Sequence, residues 1–175
     1  MSNDDAQLTS LQYLAMPVVV VSAQVGEEIS CATTTSIYVA LAPPMVVISL
    51  SPSSNTRRLL QQSGEFALSM LSVDQLRVAQ LAARHCETKD KMSELKIPIQ
   101  SAPEGFTVPG VSGSLAVIWC TVEATHMASD HLLILGRVTN SVLGDSSAAP
   151  LIYHRSRYHG QGDALQDVDL GEHQT

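Results

Sequence analysis

Residues 16–23 read MPVVVVSA, a continuous run dominated by valine. β-Branched side chains lose χ1 freedom in a helix and pack well on a pleated surface. The run is far too short to span a bilayer, which takes about 20 apolar residues. Its length and composition suit a strand buried on both faces. Such a strand needs neighbours on both edges and cover on both sides, and the rest of the chain offers both. A turn at 25–27 leads to a second strand at 29–35. A loop ending at Pro43-Pro44 leads to a third at 45–50 (MVVISL). Residues 65–71 alternate as a strand. Residues 114–124 and 132–142 make a long hairpin around 126–131, and 150–153 form a last short strand.

Helical signals interrupt this series. Residues 4–14 suit a short helix leading into the fold. Ser53 and Ser54 offer caps for a helix over 55–62, closed by Gly64. Leu76, Ala79, Gln80 and Ala83 give 73–84 a helical face. Residues 88–109 hold three prolines and read as a loop that covers something. Six or more strands with helices inserted in series do not alternate as a parallel sheet requires. They suit a mainly β chain, an antiparallel barrel with helical excursions. The organisation is one domain over 14–160, an N-terminal arm over 1–13 and an acidic tail over 161–175 outside the fold.

With 175 residues the chain can bury a sizeable core, and at 4% aromatics that core must be filled by Val, Leu, Ile and Ala. The net charge of −7 argues against nucleic acid, since phosphate backbones call for clustered Lys and Arg. Acidic residues gather at Asp4, Asp5 and 163–172. Basic ones lie mainly between Arg57 and Lys96, so one face can still take a phosphorylated cofactor. Cys31, Cys86 and Cys120 show no CxxC spacing, which suggests neither a disulfide framework nor a zinc site. Cys31 and Cys120 sit in apolar strands and read as inert core thiols. The polar, acidic start has no basic segment before an apolar run. A cytoplasmic setting with no membrane association is the expectation.

Three clusters can carry chemistry. In the first, Thr33, Thr34, Thr35 and Ser36 precede Ser49, Ser51, Ser53 and Asn55. Hydroxyls at strand ends beside a helix start can bind an anion such as phosphate, and Arg57 and Arg58 can add charge-assisted contacts. A Thr-rich strand on a wet face, followed by an ordinary capping serine, would read the same. The second cluster is Asp130-His131 at a hairpin tip, a proton donor or cofactor clamp, or simply a turn Asp with an exposed His. The third is PLIYHRSRYHG at 150–160, where Arg157 and Tyr158 belong to a mix of rings and cations. It can stack on an aromatic ligand and pair with phosphate, or form an amphipathic surface strand. No histidines sit at a metal-ligand spacing with carboxylates. GxSxG, GxGxxG and Walker motifs are absent, so hydrolase, Rossmann and NTPase readings have no support.

Four segments in order resemble one family. TTTSIYVALAPPMVVISLSPSSNT (33–56) is similar to a Ser/Thr strand leading through "VSLDPP" to a strand and helix. GEFALSML (64–71) resembles "GRFAVNVL". SDHLLILGRV (129–138) resembles "GDHxxxxGRV", and PLIYHRSRYHG resembles "PLLYxxxRYxxL". From about Leu14 to Gly160 the chain resembles the flavin reductase-like, FMN-binding split-barrel family, the small reductase components of two-component flavin monooxygenases. The resemblance implies a six-stranded antiparallel Greek-key barrel that forms a homodimer, with FMN or FAD near the interface. It implies hydride transfer from NADH or NADPH to the flavin and a flavin-dependent monooxygenase as partner. Thr33, Thr34, Thr35 and Ser36 would contact the isoalloxazine and ribityl chain. Ser49, Ser51, Ser53 and Asn55 would surround the ribityl and phosphate. His131 would help hold the nicotinamide as the catalytic residue, with Asp130 among the cofactor-binding residues and Arg157 and Tyr158 near the pyridine nucleotide.

The chain departs from the family pattern at several points. Ser30-Cys31-Ala32 replaces "GMT", and Ser36-Ile37-Tyr38 replaces Phe-Thr-Ser. Ala42, Ser69 and Ser129 replace an Asp, an Asn and a Gly. These changes thin the polar contacts to flavin, at roughly 1 kcal/mol per hydrogen bond, and bring bulky Tyr38 beside the flavin. They leave room for two other readings: a cofactor-independent cyclase or isomerase of natural-product biosynthesis, or a non-catalytic FMN-binding electron carrier.

Overall fold

The structure is a computed structural model and describes residues 3–162, with side chains from Asp5 onward. In chain order the elements are α1 (Asn3–Leu11), β1 (Met16–Val25), β2 (Glu28–Leu41), β3 (Pro44–Leu50), α2 (Asn55–Ser63) and β4 (Glu65–Met70). A 3₁₀ turn (Val73–Gln75) runs into α3 (Leu76–Ala82), followed by α4 (Lys91–Glu94), β5 (Ile99–Gln100), β6 (Gly110–Val111), β7 (Ala116–Ala128), β8 (His131–Leu143), β9 (Leu151–His154) and β10 (Arg157–Gly160).

Six strands close a barrel in the order β1-β2-β3-β8-β7-β4, with β4 pairing back onto β1. Every pairing in it is antiparallel. Strands that follow each other as 1-2-3 and then return as 8-7-4 are the Greek-key order that the sequence resemblance implies. The hairpin β9–β10 extends the sheet from the start of β1.

The valine run explains the two layers of the core. Val19, Val21 and Ala23 point inward and pack with Ile48, Leu50, Phe66, Leu68 and Ile134. Val18 and Val20 point outward and pack with Leu71, Ala79, Met92 and Ile97, beneath α3 and α4. Both faces of β1 are therefore apolar, and the sequence does not alternate. Each fully buried valine contributes about 1.5–3 kcal/mol. Gly136 of β8 faces inward, where an added Cβ would lie 2.4 Å from the Phe66 ring, so this position takes no side chain.

The proline-bearing segment 88–109 does cover the barrel wall. Its Met92, Ile97 and Val108 are buried against that wall. The segment also satisfies polar groups on the wall. Ser22 donates its hydroxyl to the Pro109 carbonyl, and Trp119 Nε1 donates to the Val108 carbonyl at 2.9 Å. At β6, which follows the segment, the Val111 N–H donates to Ser69 Oγ at 2.9 Å.

Several boundaries differ from the sequence expectation. β2 runs on to Leu41, six residues past the expected end. The helix expected over 73–84 is split, because Gln75 accepts from the Ser72 N–H and donates to the Ser112 carbonyl, tying the first turn to the wall. The final strand is a hairpin rather than one strand. Of the expected tail, only residues 161 and 162 lie within the described residues. No helix among the described residues is long and apolar enough to cross a membrane.

Burial pushes the Cys31 thiol up to about 11 and the Cys120 thiol up to about 12. Cys86 is partly exposed. The folded protein should therefore titrate one thiol per chain with a disulfide reagent at pH 8, and three after unfolding. Rapid reaction of a second thiol in the folded state would contradict this burial.

Candidate functional site

The period of two along β2 divides the hydroxyl row. Thr33 and Thr35 stand opposite Val20 and Val18 and share their outer face. Thr34 and Ser36 stand opposite Val19 and Ile48, on the inner face. The Thr34 hydroxyl donates to the Ser49 carbonyl at 2.9 Å, and that of Ser36 to the Val47 carbonyl at 3.0 Å. These two hydroxyls bind the barrel together. Thr33 donates to the Ala79 carbonyl of α3 at 2.5 Å, which fixes α3 against the outer face.

That outer face holds a cleft of about 230 Å³ lined by Thr33, Ser51, Ser53, Asn55, Arg84 and Lys91. The start of α2 forms one side. Ser54 is the cap, its oxygen accepting from the Arg57 N–H at 3.3 Å. Ser51 and Ser53 join their hydroxyls at 3.1 Å. The opposite side is Lys91, only 6% exposed. Its Nζ donates to the Cys31 and Ala82 carbonyls, both at 2.7 Å. An ammonium has three N–H donors, so one remains for the cleft. Burial holds this amine below its usual range. Among the described residues no carboxylate pairs with Lys91, and none lines the cleft. A buried cation without a counter-ion is costly, and an anion in the cleft would relieve it.

Further along β2 is an apolar groove of about 190 Å³. Thr35, Ser36 and Ser49 share it with Met16, Ile37, Val47 and Leu133. Thr33 in the cleft and Thr35 in the groove are two residues apart on one face, about 7 Å along the strand. Cleft and groove thus follow one another along β2, a track cationic at one end and apolar at the other.

The remaining sequence candidates lie off this track. Asp130 and His131 close the β7–β8 hairpin, with Asp130 Oδ1 3.0 Å from His131 Nδ1. The hydrogen bond to His131 holds the Asp130 carboxyl below its ordinary range. Leu132 pairs with Leu50, so His131 sits at the end of β8 beside the end of β3, where Ser51 follows. Arg157 and Tyr158 lie on β10 and line neither cleft nor groove. Tyr158 packs edge-on against Tyr153, centroids 5.3 Å apart. Tyr38 does not line the groove and is 73% exposed.

The sequence reading missed Lys91 and Arg84 and the apolar residues of the groove. One signal was available: Asp90 is a cap residue, accepting from the Ser93 N–H at 2.9 Å, and it marks a short helix that begins with Lys91.

A cationic cleft lined by hydroxyls, followed along one strand by an apolar groove, can take an anionic group at one end and an apolar ring at the other. Residues 11–162 match the family model described as flavin reductase like domain. The chain belongs to the flavin reductase-like family. Among its relatives is the NADH:riboflavin 5'-phosphate oxidoreductase of Streptomyces pristinaespiralis, 28% identical over 86% of this chain and 84% of that protein. The reductase component of 4-hydroxyphenylacetate 3-monooxygenase from Thermus thermophilus is 28% identical over 85% of this chain and 91% of its own length. The solved structure of the NADH:FAD oxidoreductase SgcE6 from Streptomyces globisporus superposes with a TM-score of 0.83 at 22% identity, covering 93% of this chain and 96% of that one. For this member of the flavin reductase-like family, the closed six-stranded barrel is thus the shared framework, and the outer-face track is where the chain's own side chains enter.

Proposed function

We propose that this chain is an NADH-dependent flavin reductase whose reduced flavin serves a partner monooxygenase. The single observation that carries the reading is Lys91, a buried ammonium with a spare donor in a cleft free of carboxylates. It fits the phosphate end of a flavin. Bound there, flavin supplies the hydride acceptor. Lys91, Arg84 and the start of α2 hold the phosphate. Thr33, Ser51 and Ser53 line the passage for the polyol, and Thr35 and Ser49 meet the ring edge. Met16, Ile37, Val47 and Leu133 give the ring an apolar wall and exclude water from it. Asp130 accepts from His131 Nδ1 and so leaves Nε2 to face an incoming nicotinamide amide. No strong acid or base is needed, since the chain's task is to orient two cofactors. Arg157 and Tyr158 serve the pyridine nucleotide from β10.

The relatives named as NADH-dependent oxidoreductases and as a monooxygenase reductase component support the donor and the partner class. The test is to titrate the purified protein with FMN, following flavin fluorescence, and then add NADH without oxygen. Binding followed by bleaching of the flavin is the expected result. Binding without bleaching would mean an electron carrier. Absence of binding would return the cofactor-free cyclase to the front.

A homodimer belongs to the same reading. The end of β2 leaves Ile37, Tyr38, Val39 and Leu41 exposed, Tyr38 by 73% and Leu41 by 78%. Contiguous apolar surface of this kind is covered in soluble proteins. Ile37 also lines the groove, so a second copy seated here would close it. The parent should sediment as a dimer, and the double variant Tyr38→Glu, Leu41→Glu as a monomer with weaker flavin binding. A monomeric parent would exclude this arrangement.

A further inference from the structure

The chain has three lysines, Lys89, Lys91 and Lys96. Lys89 and Lys96 are exposed, whereas Lys91 is buried and lines the cationic cleft. The two carbonyls that hold Lys91 also aim it. Its nitrogen is tetrahedral. One corner is the bond to Cε, and two are the N–H bonds to the carbonyls of Cys31 and Ala82. The fourth corner is a third N–H in the ammonium and a lone pair in the free amine. Burial lowers the amine from its usual range, so more of it is free at a given pH than for a lysine in water. A desolvated lysine beside another cation is an activated nucleophile, and Arg84 shares this cleft.

The same cleft is built for an anion. Ser51, Ser53 and the start of α2 line it with Arg84, and no carboxylate does so. Nucleophile and anion site thus share about 230 Å³. That space suits a small molecule with an electrophilic carbon joined directly to phosphate, which is the build of an acyl phosphate. Phosphate is then also the leaving group, and Arg84 meets the charge that develops on it.

We infer that Lys91 is an acyl-acceptor site, modified by a small acyl phosphate whose phosphate docks in the cleft. The free amine attacks the carbonyl carbon. A C–N bond forms and the C–O bond to phosphate breaks. The proton lost from nitrogen passes to the departing phosphate, and nothing is oxidised or reduced. The product amide carries no charge, so the cleft loses its buried cation. Its hold on any phosphorylated ligand then follows the supply of acyl phosphate. The inference stands on the anion cleft and not on the flavin reading.

Acetyl phosphate added to the full-length protein at pH 8 tests it, with acetylation at each lysine followed by peptide mass spectrometry. Lys91 should react about tenfold faster than the exposed Lys89 and Lys96, because docking places the carbonyl beside its nitrogen. N-Acetoxysuccinimide, which carries no phosphate, should give the reverse order, since exposure then decides. Inorganic phosphate should slow Lys91 alone. Arg84→Ala should slow the reaction of Lys91 with acetyl phosphate about tenfold, with thermal unfolding checking that the exposed substitution leaves the fold intact. Lys91 reacting no faster than the other two would overturn the inference. So would the same preference for Lys91 with the phosphate-free reagent, which would mean that the cleft directs nothing. Protection by FMN would support the flavin reading as well. Protection by inorganic phosphate without protection by FMN would uphold the acyl-acceptor site and count against flavin in the cleft.

Discussion

Lys91→Met should weaken FMN binding by roughly 10–100-fold. A hydrogen bond to a charged group contributes about 1.5–3 kcal/mol, and each 1.4 kcal/mol is tenfold in affinity. Lys91 is buried, so water cannot replace its third N–H as it would at the surface. The same side chain ties the carbonyls of Cys31 on β2 and Ala82 at the end of α3, and the variant also frees those acceptors. Fluorescence titration separates the two consequences, because Lys91→Arg keeps the charge while altering the geometry. The pH dependence adds a signature. Burial lowers the amine from its usual 10.5, so as pH rises towards that value the folded protein loses this proton before the unfolded chain does. FMN affinity should then fall across that window. Lys91's contribution to the stability of the flavin-free protein should rise across it, because the unfolded state binds more protons there. Lys91→Met should show neither trend. A variant that binds FMN within twofold of the parent would remove Lys91 from the site.

Trp119→Ala should be the most destabilising single change in the barrel wall. Trp119 is fully buried against Ala67, Val108 and Val117. Losing a buried Trp side chain costs about 3–5 kcal/mol. For a chain of this size each kcal/mol lowers Tm by about 2–4 °C, which predicts a drop of roughly 6–20 °C. Trp119→Phe keeps most of the volume but leaves the Val108 carbonyl without its donor, at about 1–3 kcal/mol. Urea unfolding should therefore rank parent, Phe and Ala variants in that order. FMN affinity should stay near the parent value, because Trp119 lines neither cleft nor groove. A shift below 1 kcal/mol for the Ala variant would mean that segment 88–109 does not seal that wall.

Much of the barrel was legible in the sequence, for reasons that can be named. The valine run of β1 is apolar throughout because both its faces are covered. The cap at Ser54 and the left-handed Gly64 bracket α2 as their residue types suggest. β10 was hidden because its turn is made by Arg155 and Ser156, both with positive φ, at 50° and 60°. Gly or Asn at those positions would have signalled a tight hairpin. The long end of β2 was hidden because its apolar residues face outward, and a pattern-based reading assigns such residues to a core. Of the candidate site, the hydroxyl-bearing residues were legible but their faces were not separated. Thr34 and Ser36 look identical to Thr33 and Thr35 in a string of letters, and only the ladder register puts them on opposite sides. Lys91 could not be chosen from sequence, because nothing local marks which lysine a fold will bury.

The cationic cleft lies on the outer wall, while Val19, Val21, Ile48, Phe66 and Ile134 fill the barrel interior. Work on thermal robustness and work on cofactor choice thus address different sets of residues. The inward positions of β1, β3, β4 and β8 form one repacking problem governed by volume. The outward positions of β2, the start of α2 and the segment bearing Arg84 and Lys91 form another, governed by charge and shape. A library that varies one set can hold the other constant, and gains found separately should combine with little interference.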